Sequence, residues 1–291
     1  MRFLLASACL GIIAFWASEV FFWSIPHPDF ALADQAVTCL AYMFCASVAL
    51  YVVTRAGVQG VKAAFLGGAV LGYLVEGAVV GTMYDAFPFQ LVWTPLAWHA
   101  LISGGVVLGL GRAGGALQRL GLWLGLGVFG AVLASYWPKE HPIPGQEAVL
   151  AYLMGFGALV VAAQLALDRI GPLTAPPLWV MALPGGLLGA SWAMQGVATL
   201  SPLRLLLPVI LAVLVWLAFR VGDRQPLRLG PSGGWRHGLF LVTPLVTAML
   251  GRLAWDAFPE GLEIWPLAVV TCLVALIWLG SLLRPGLSAP R

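Results

Sequence analysis

Hydrophobic residues occur along the chain in ten long runs, and short segments that hold most of the charged residues separate these runs. Each run approaches the roughly 20 residues of helix that cross about 30 Å of bilayer hydrocarbon. The pattern therefore predicts an all-α, polytopic helical membrane protein with about ten transmembrane helices. The predicted spans are residues 3–23, 30–53, 63–83, 91–111, 120–137, 147–167, 177–200, 203–219, 237–257 and 262–283.

Basic residues are distributed unevenly between the two ends of these runs. If the N-terminus is cytoplasmic, twelve of the fifteen lysines and arginines fall on the cytoplasmic side. Lys139 and Arg204 fall on the other side, and Arg252 lies within the ninth run. Because cytoplasmic connections carry an excess of Lys and Arg, the count predicts that both termini are cytoplasmic and that the protein is integral to the plasma (inner) membrane.

Composition narrows the range of functions. Hydrophobic residues make up 61% of the chain and charged residues only 9%, whereas soluble domains are about 25% charged. A soluble catalytic domain is therefore not expected, and no basic patch supports binding to nucleic acid. The four cysteines lie in apolar runs and form no CxxC pair, which favours core packing over disulfides or structural zinc.

One internal repeat is visible. Residues 85–97 read DAFPFQLVWTPLA and residues 256–268 read DAFPEGLEIWPLA, so eight of the thirteen positions match at a fixed offset. Both segments join predicted spans on the non-cytoplasmic side. The match predicts a parallel four-helix repeat of spans 1–4 and 7–10, within a single transmembrane domain. Its parts are a first repeat (1–112), a two-helix insert (113–176) and a second repeat (177–291).

Two ionisable residues in neighbouring spans define the candidate site. Glu76 lies roughly 10 Å below the non-cytoplasmic end of the third span, and His99 lies roughly 12 Å into the fourth. A charge inside the bilayer costs at least about 2.5 kcal/mol, so such residues are functional candidates. Because a short turn joins the two spans, we expect Glu76 and His99 to meet and to form the catalytic pair.

Four further residues are expected to support this pair. Tyr73 precedes the glutamate by three residues and Ser103 follows the histidine by four, so each shares a helical face with its neighbour. Glu19 lies about 6 Å below the non-cytoplasmic end of the first span. Asp85 lies in the turn directly above. All of these side chains except that of Asp85 are expected to line one pocket with Glu76 and His99.

Two chemistries suit this set. A carboxylate and a neutral imidazole bind a divalent metal, which makes Glu19, Glu76 and His99 candidate metal ligands, with Asp85 as the alternative to Glu19 and water in a fourth position. Alternatively, Glu76 orients His99 as a general base. The competing structural interpretation is a buried pair that only fixes helix packing.

Arg252 is a candidate of a different kind. It lies four residues before Asp256 near the end of the ninth span. The spacing favours an ion pair within the helix. The functional alternative is an arginine that binds the phosphate or carboxylate of a substrate.

The placement of the ionisable groups favours one class of function. Nearly all of the buried or semi-buried ionisable groups lie in the non-cytoplasmic third of the predicted bundle, whereas a proton or ion path needs groups spaced across the membrane. We therefore expect a site near the non-cytoplasmic face that acts on or binds a membrane lipid or lipid-linked substrate, as in a membrane-embedded hydrolase or transferase. The alternatives are a secondary transporter of a small or amphiphilic solute and a structural subunit with a membrane-protein partner or in a homo-oligomer.

Overall fold

The computed structural model describes residues 1–27, 29–229 and 233–283. Within these ranges every regular element is helical and no strand is present. Ten long helices follow one another along the described chain. They are α1 (Arg2–Trp23), α2 (Leu32–Ala56), α3 (Gly60–Val79), α4 (Gln90–Leu110), α5 (Ala116–Lys139), α6 (Gln146–Asp168), α7 (Ala182–Thr199), α8 (Pro202–Val221), α9 (Gly234–Ala257) and α10 (Trp265–Leu283).

In the described part of the chain, nine of these helices are long and apolar enough to cross a membrane. The exception is α7, which falls in the predicted span 177–200. Its glycines, together with Ser191 and Gln195, make it less apolar than the others. The nine apolar helices suggest a membrane-embedded protein, as the hydrophobic pattern predicts. The orientation of the termini and the internal repeat stay predictions.

Glycines allow α3 and α4 to approach closely. A Cβ on Gly68 would lie 2.6 Å from the carbonyl oxygen of His99, and one on Gly104 would lie 2.3 Å from that of Ala64. Any larger residue would therefore force the backbones apart, as is typical of small residues at contacts between membrane helices. This packing sets the third and fourth helices, and hence their polar side chains, at a fixed distance.

Three segments of α1, α3 and α4 are π-helical. They are Trp16–Val20, Val75–Val79 and Trp93–Leu110. At the end of the second segment, for example, the N–H of Val80 donates to the carbonyl of Val75, five residues earlier. Short π-helical turns are rare and occur frequently at functional sites. Helical spacing read from the sequence assumes α-helix throughout, so this geometry was not predicted.

Polar side chains from neighbouring helices hold these segments in place. The indole N–H of Trp98 donates to the carbonyl of Ala17 at 3.0 Å and joins α4 to α1. From α7, Ser191 donates to the carbonyl of Ala78 at 2.6 Å, and Gln195 donates to that of Val79 at 2.8 Å. The polar residues of α7 therefore satisfy backbone oxygens at the end of the π-turn in α3.

A buried ionic cluster lies just beyond the C-terminal end of α4. Arg112 pairs with Asp168, which also accepts hydrogen bonds from His237 at 3.0 Å and from the backbone N–H of Gly233 at 2.8 Å. Arg119 donates to the carbonyl oxygen of Arg112. These contacts tie α4 to the ends of α5, α6 and α9. The distribution of charge along the sequence predicts that these residues are cytoplasmic, but it does not predict the cluster.

Candidate functional site

The structure brings Glu76 and His99 together. Nε2 of His99 lies 2.8 Å from Oε1 of Glu76. Both residues are buried, with exposed fractions of 8% for Glu76 and 1% for His99. The close packing of α3 on α4 enforces this contact, because a Cβ on Gly72 would lie 2.6 Å from Cβ of His99.

Hydrogen bonds fix the orientation of both side chains. The hydroxyl of Thr82 donates to Oε2 of Glu76, so each carboxylate oxygen has a partner. In the tautomer that directs Nε2–H at Glu76, Nδ1 of His99 is left as an acceptor. The hydroxyl of Ser18 lies 2.9 Å from this Nδ1 and is positioned to donate to it. Ser18, His99 and Glu76 therefore form a continuous hydrogen-bonded relay.

Ser103 extends the relay by one hydroxyl. Its Oγ lies 3.4 Å from Oγ of Ser18. Both serines are buried, with exposed fractions of 7% for Ser18 and 3% for Ser103. Each of the four side chains projects from one of the three π-helical segments. The unusual backbone geometry and the polar cluster thus coincide.

Glu19 lies beside the relay and has a different partner. Its Oε1 accepts a hydrogen bond from the hydroxyl of Tyr42 at 2.7 Å. Among the residues that the structure describes, no group of three or more His, Cys, Asp or Glu is arranged to hold a metal ion. The divalent metal site of Glu19, Glu76 and His99 therefore stays a hypothesis from the sequence.

The other predicted residues lie apart from the relay. The hydroxyl of Tyr73 donates to the carbonyl of Leu91 at 2.9 Å, and so it links α3 to the start of α4. Asp85 is exposed in the connection between these helices. Arg252 pairs with Asp256 at 2.9 Å, and both side chains are about half exposed. The contact seen for Arg252 is thus the intrahelical ion pair that its spacing favours.

An apolar cavity of about 220 Å³ reaches the relay. It lies between α1, α2, α3 and α4, and its wall consists mostly of Ala, Gly, Val and Leu. His99 and Ser103 line its buried end. Gly60, Ala113 and Arg228 line its other end and are exposed at the surface of the protein. The cavity therefore leads from the protein surface to the imidazole.

Glycines keep this cavity open. Gly67 lies on its wall, and a Cβ at this position would meet only Cγ1 of Val53, at 3.6 Å. A larger side chain at Gly67 would therefore extend into the cavity without a clash of its first atom. Gly68 lies on the same wall but packs against the backbone of α4. The two adjacent glycines thus serve different purposes.

Sequence reasoning missed Ser18, Thr82 and Tyr42, which bind the predicted ionisable residues directly. A hydroxyl in an apolar helix is common and carries no large desolvation cost, so it gives no signal of its own. The one available signal was the position of Ser18 beside Glu19. The π-turn around Ser18 decides which of these two side chains reaches His99, and periodicity does not reveal such a turn.

Comparison with known proteins gives no relative for this chain. No protein-family model, no curated protein and no solved structure matches it. Its function is therefore inferred from the geometry of the site.

Proposed function

We propose that the protein is a membrane-embedded hydrolase or transferase that acts on the acyl ester of a lipid. Ser18 is the nucleophile, His99 is the general base, and Glu76 orients His99. The observation that carries the proposal is the relay Ser18–His99–Glu76, with contacts of 2.9 and 2.8 Å, whose His99 lines the buried end of an apolar cavity. A nucleophile within hydrogen-bond reach of a base, which a third group orients, is the arrangement that activates a hydroxyl.

The relay supports acyl transfer in two steps, through an acyl group bound to Ser18. Oγ of Ser18 attacks the carbonyl carbon of the ester while its proton passes to Nδ1 of His99. The carboxylate of Glu76 stabilises the imidazolium that forms. The tetrahedral intermediate then expels the alcohol, which takes the proton from His99, and the acyl group remains on Ser18. Water or a second alcohol attacks this acyl group in the reverse sense and releases Ser18.

The cavity accounts for the acyl part of the substrate. Leu10, Leu50, Leu71 and Leu108 are among its lining residues. Each methylene group transferred from water into such surroundings contributes about 0.8 kcal/mol. A hydrocarbon chain in the cavity places its carbonyl end beside His99 and Ser103. The hydroxyl of Ser103, near that of Ser18, is positioned to donate to the oxygen of the intermediate.

The predicted topology places this reaction in the plasma (inner) membrane. With both termini cytoplasmic, Ser18 and His99 lie in the non-cytoplasmic half of the bundle. The cavity then extends from them towards the cytoplasmic side, where Arg112 and Arg228 lie. The placement of ionisable groups along the sequence favours a site open to the non-cytoplasmic face. The course of the cavity argues instead that the substrate approaches from the cytoplasmic half of the membrane.

Hydrolysis of model esters tests the proposal. The purified protein in detergent is expected to hydrolyse p-nitrophenyl laurate faster than the acetate, because only the longer chain fills the cavity. Ser18→Ala abolishes the reaction, and His99→Gln slows it by about a hundredfold or more. The control variant Asp85→Asn, which neutralises an exposed carboxylate, is expected to retain the wild-type rate. Equal rates for wild-type protein and a folded Ser18→Ala variant overturn the proposal.

The cavity also favours a second candidate, a secondary transporter of an apolar solute. One end of the cavity has exposed residues, and the other is lined by the buried His99, which pairs with Glu76. This is the arrangement of a binding site reached from one side of the membrane. Uptake of a hydrophobic solute into proteoliposomes by Ser18→Ala at the wild-type rate, without ester hydrolysis by either protein, favours this function over acyl transfer.

A further inference from the structure

A second cavity, of about 260 Å³, lies at the end of the bundle away from the ionic cluster. It forms where α1 and α5 end and α10 begins. We call it the aromatic pocket, because five of its nine lining residues carry aromatic rings other than histidine. The lining residues are Phe22, Trp23, Tyr136, Trp137, Glu140, His141, Ile264, Trp265 and Ala268.

Contacts among the lining residues hold the rings in place. Trp23 and Trp137 stack with centroids 4.2 Å apart and planes at 26°. The indole N–H of Trp137 donates to the carbonyl of Phe22 at 3.2 Å. The hydroxyl of Tyr136 donates to Oε1 of Glu140 at 2.9 Å. The pocket therefore presents a preorganised aromatic surface with one carboxylate at its edge.

The electrostatics of this surface favour a cation. The faces of aromatic rings carry negative potential, and Glu140 adds a negative charge. None of the described lining residues is a lysine or an arginine. The ammonium of Lys139 lies 5.8 Å from the centre of the Tyr136 ring and pairs with Glu263. The ring of Tyr136 thus already has a cation of the protein beside it, which leaves the other four aromatic rings for a ligand.

The neighbouring His27 does not oppose such a ligand. Its ring lies 4.4 Å from that of Trp23 and 4.8 Å from that of His141, measured between centroids. Burial, assisted by His141, lowers the pKa of His27 against the opposing effect of Asp29. The imidazole of His27 therefore takes up a proton less readily than a free imidazole does.

From this geometry we infer that the aromatic pocket binds a quaternary ammonium group, such as that of choline. A primary ammonium is strongly hydrated and needs several acceptors to replace its water, whereas Glu140 is the one carboxylate among the described residues that line the pocket. A quaternary ammonium has no N–H to satisfy, and its methyl groups pack on the ring faces. The site is separate from the Ser18–His99–Glu76 relay, and the inference does not depend on acyl transfer.

Calorimetric titration of the full chain in a maltoside detergent tests this inference. The probes are choline chloride and dimethylbutanol, its neutral carbon isostere. Choline is expected to bind at least about tenfold more tightly than the isostere, a difference within the range of cation–π contributions. Equal binding of the two probes overturns the inference, because it shows a pocket selective only for apolar groups.

Variants place the binding in the pocket. Glu140→Gln and Trp265→Leu are each expected to weaken choline binding by about fivefold. Both positions are exposed, and Trp265 has an exposed fraction of 59%, so neither change threatens the fold. Glu147→Gln and Trp179→Leu, at exposed positions outside the pocket, serve as matched controls and leave binding unchanged. Choline binding that survives both pocket variants overturns the inference.

Nanodiscs distinguish the source of the cation. Choline binding that is lost in phosphatidylcholine discs but retained in phosphatidylglycerol discs shows that a lipid headgroup occupies the pocket. Equal choline binding in both kinds of disc shows that the pocket takes a soluble cation. Either result supports a quaternary ammonium site, and absence of choline binding in both discs and in detergent contradicts it.

Discussion

At the scale of residues, the cost of burying a charge made part of the site predictable. Ionisable side chains are rare in these spans, and so Glu76 and His99 were identified by type and depth. Ser18 and Thr82 complete the hydrogen bonds of Glu76 and His99, but burying a hydroxyl alone costs little free energy. Several serines and threonines lie at similar depths, and only the local backbone decides which of them reach the pair. The partners of a buried charge were thus less predictable than the charge itself.

Glu76→Gln tests the role of the carboxylate. Glutamine has nearly the same shape but lacks the negative charge that stabilises the imidazolium of His99. We expect kcat/KM for laurate ester hydrolysis to fall by about a hundredfold or more. The thermal unfolding midpoint shows whether the fold is kept, and Asp85→Asn controls for the loss of a carboxylate elsewhere. A folded Glu76→Gln protein with the wild-type rate removes Glu76 from the mechanism.

At the scale of elements, length and hydropathy predicted the helices well. Residues 147–167, for example, were predicted as a span, and α6 covers Gln146–Asp168. The exception is α7, whose polar residues form hydrogen bonds with α3 and α8. The π-helical turns were not predictable, because one inserted residue changes which side chains share a face without changing the hydrophobic pattern.

Gly67→Leu tests whether the cavity holds the acyl chain. The new side chain extends from α3 into the cavity and meets only Val53 at its first atom. We expect laurate ester hydrolysis to fall by at least about tenfold, while acetate hydrolysis changes little, since one excluded chain segment is worth about 1–3 kcal/mol.

Gly125→Leu is the matched control for this change. Gly125 lies on α5, outside the cavity, and a Cβ at this position would meet no other atom within 4 Å. The same substitution there leaves both rates unchanged. If the Gly67→Leu variant hydrolyses the laurate ester as fast as the Gly125→Leu variant does, the acyl chain of the substrate does not bind in the cavity.

At the scale of the whole molecule, α1 connects the three features. Leu10 and Ala14 line the apolar cavity, Ser18 belongs to the relay, and Trp23 lines the aromatic pocket. Trp23 follows Ser18 by five residues, which corresponds to roughly 8 Å of helix. The hydrophobic pattern predicted α1 as a span but not this division of its length, because that depends on which helices pack against each turn.

The predicted orientation of the termini determines which membrane face the cavity and the aromatic pocket lie towards. With a cytoplasmic N-terminus, the cavity lies towards the cytoplasm and the aromatic pocket towards the opposite face. The repeat between residues 85–97 and 256–268 stays a prediction at this scale. In the structure both segments include a connection between long helices, α3 to α4 and α9 to α10. The Glu76–His99 pair belongs to the first copy alone.

The most direct test of acyl transfer at Ser18 is the site of covalent modification by a long-chain alkyl fluorophosphonate, which reacts with activated serine hydroxyls. The protein is labelled in detergent, digested and mapped by mass spectrometry over its whole length. We expect an adduct on Ser18 that His99→Gln and Gly67→Leu suppress and that Gly125→Leu retains. An adduct on a different residue, or a folded protein that hydrolyses esters but remains unlabelled at Ser18, contradicts this mechanism.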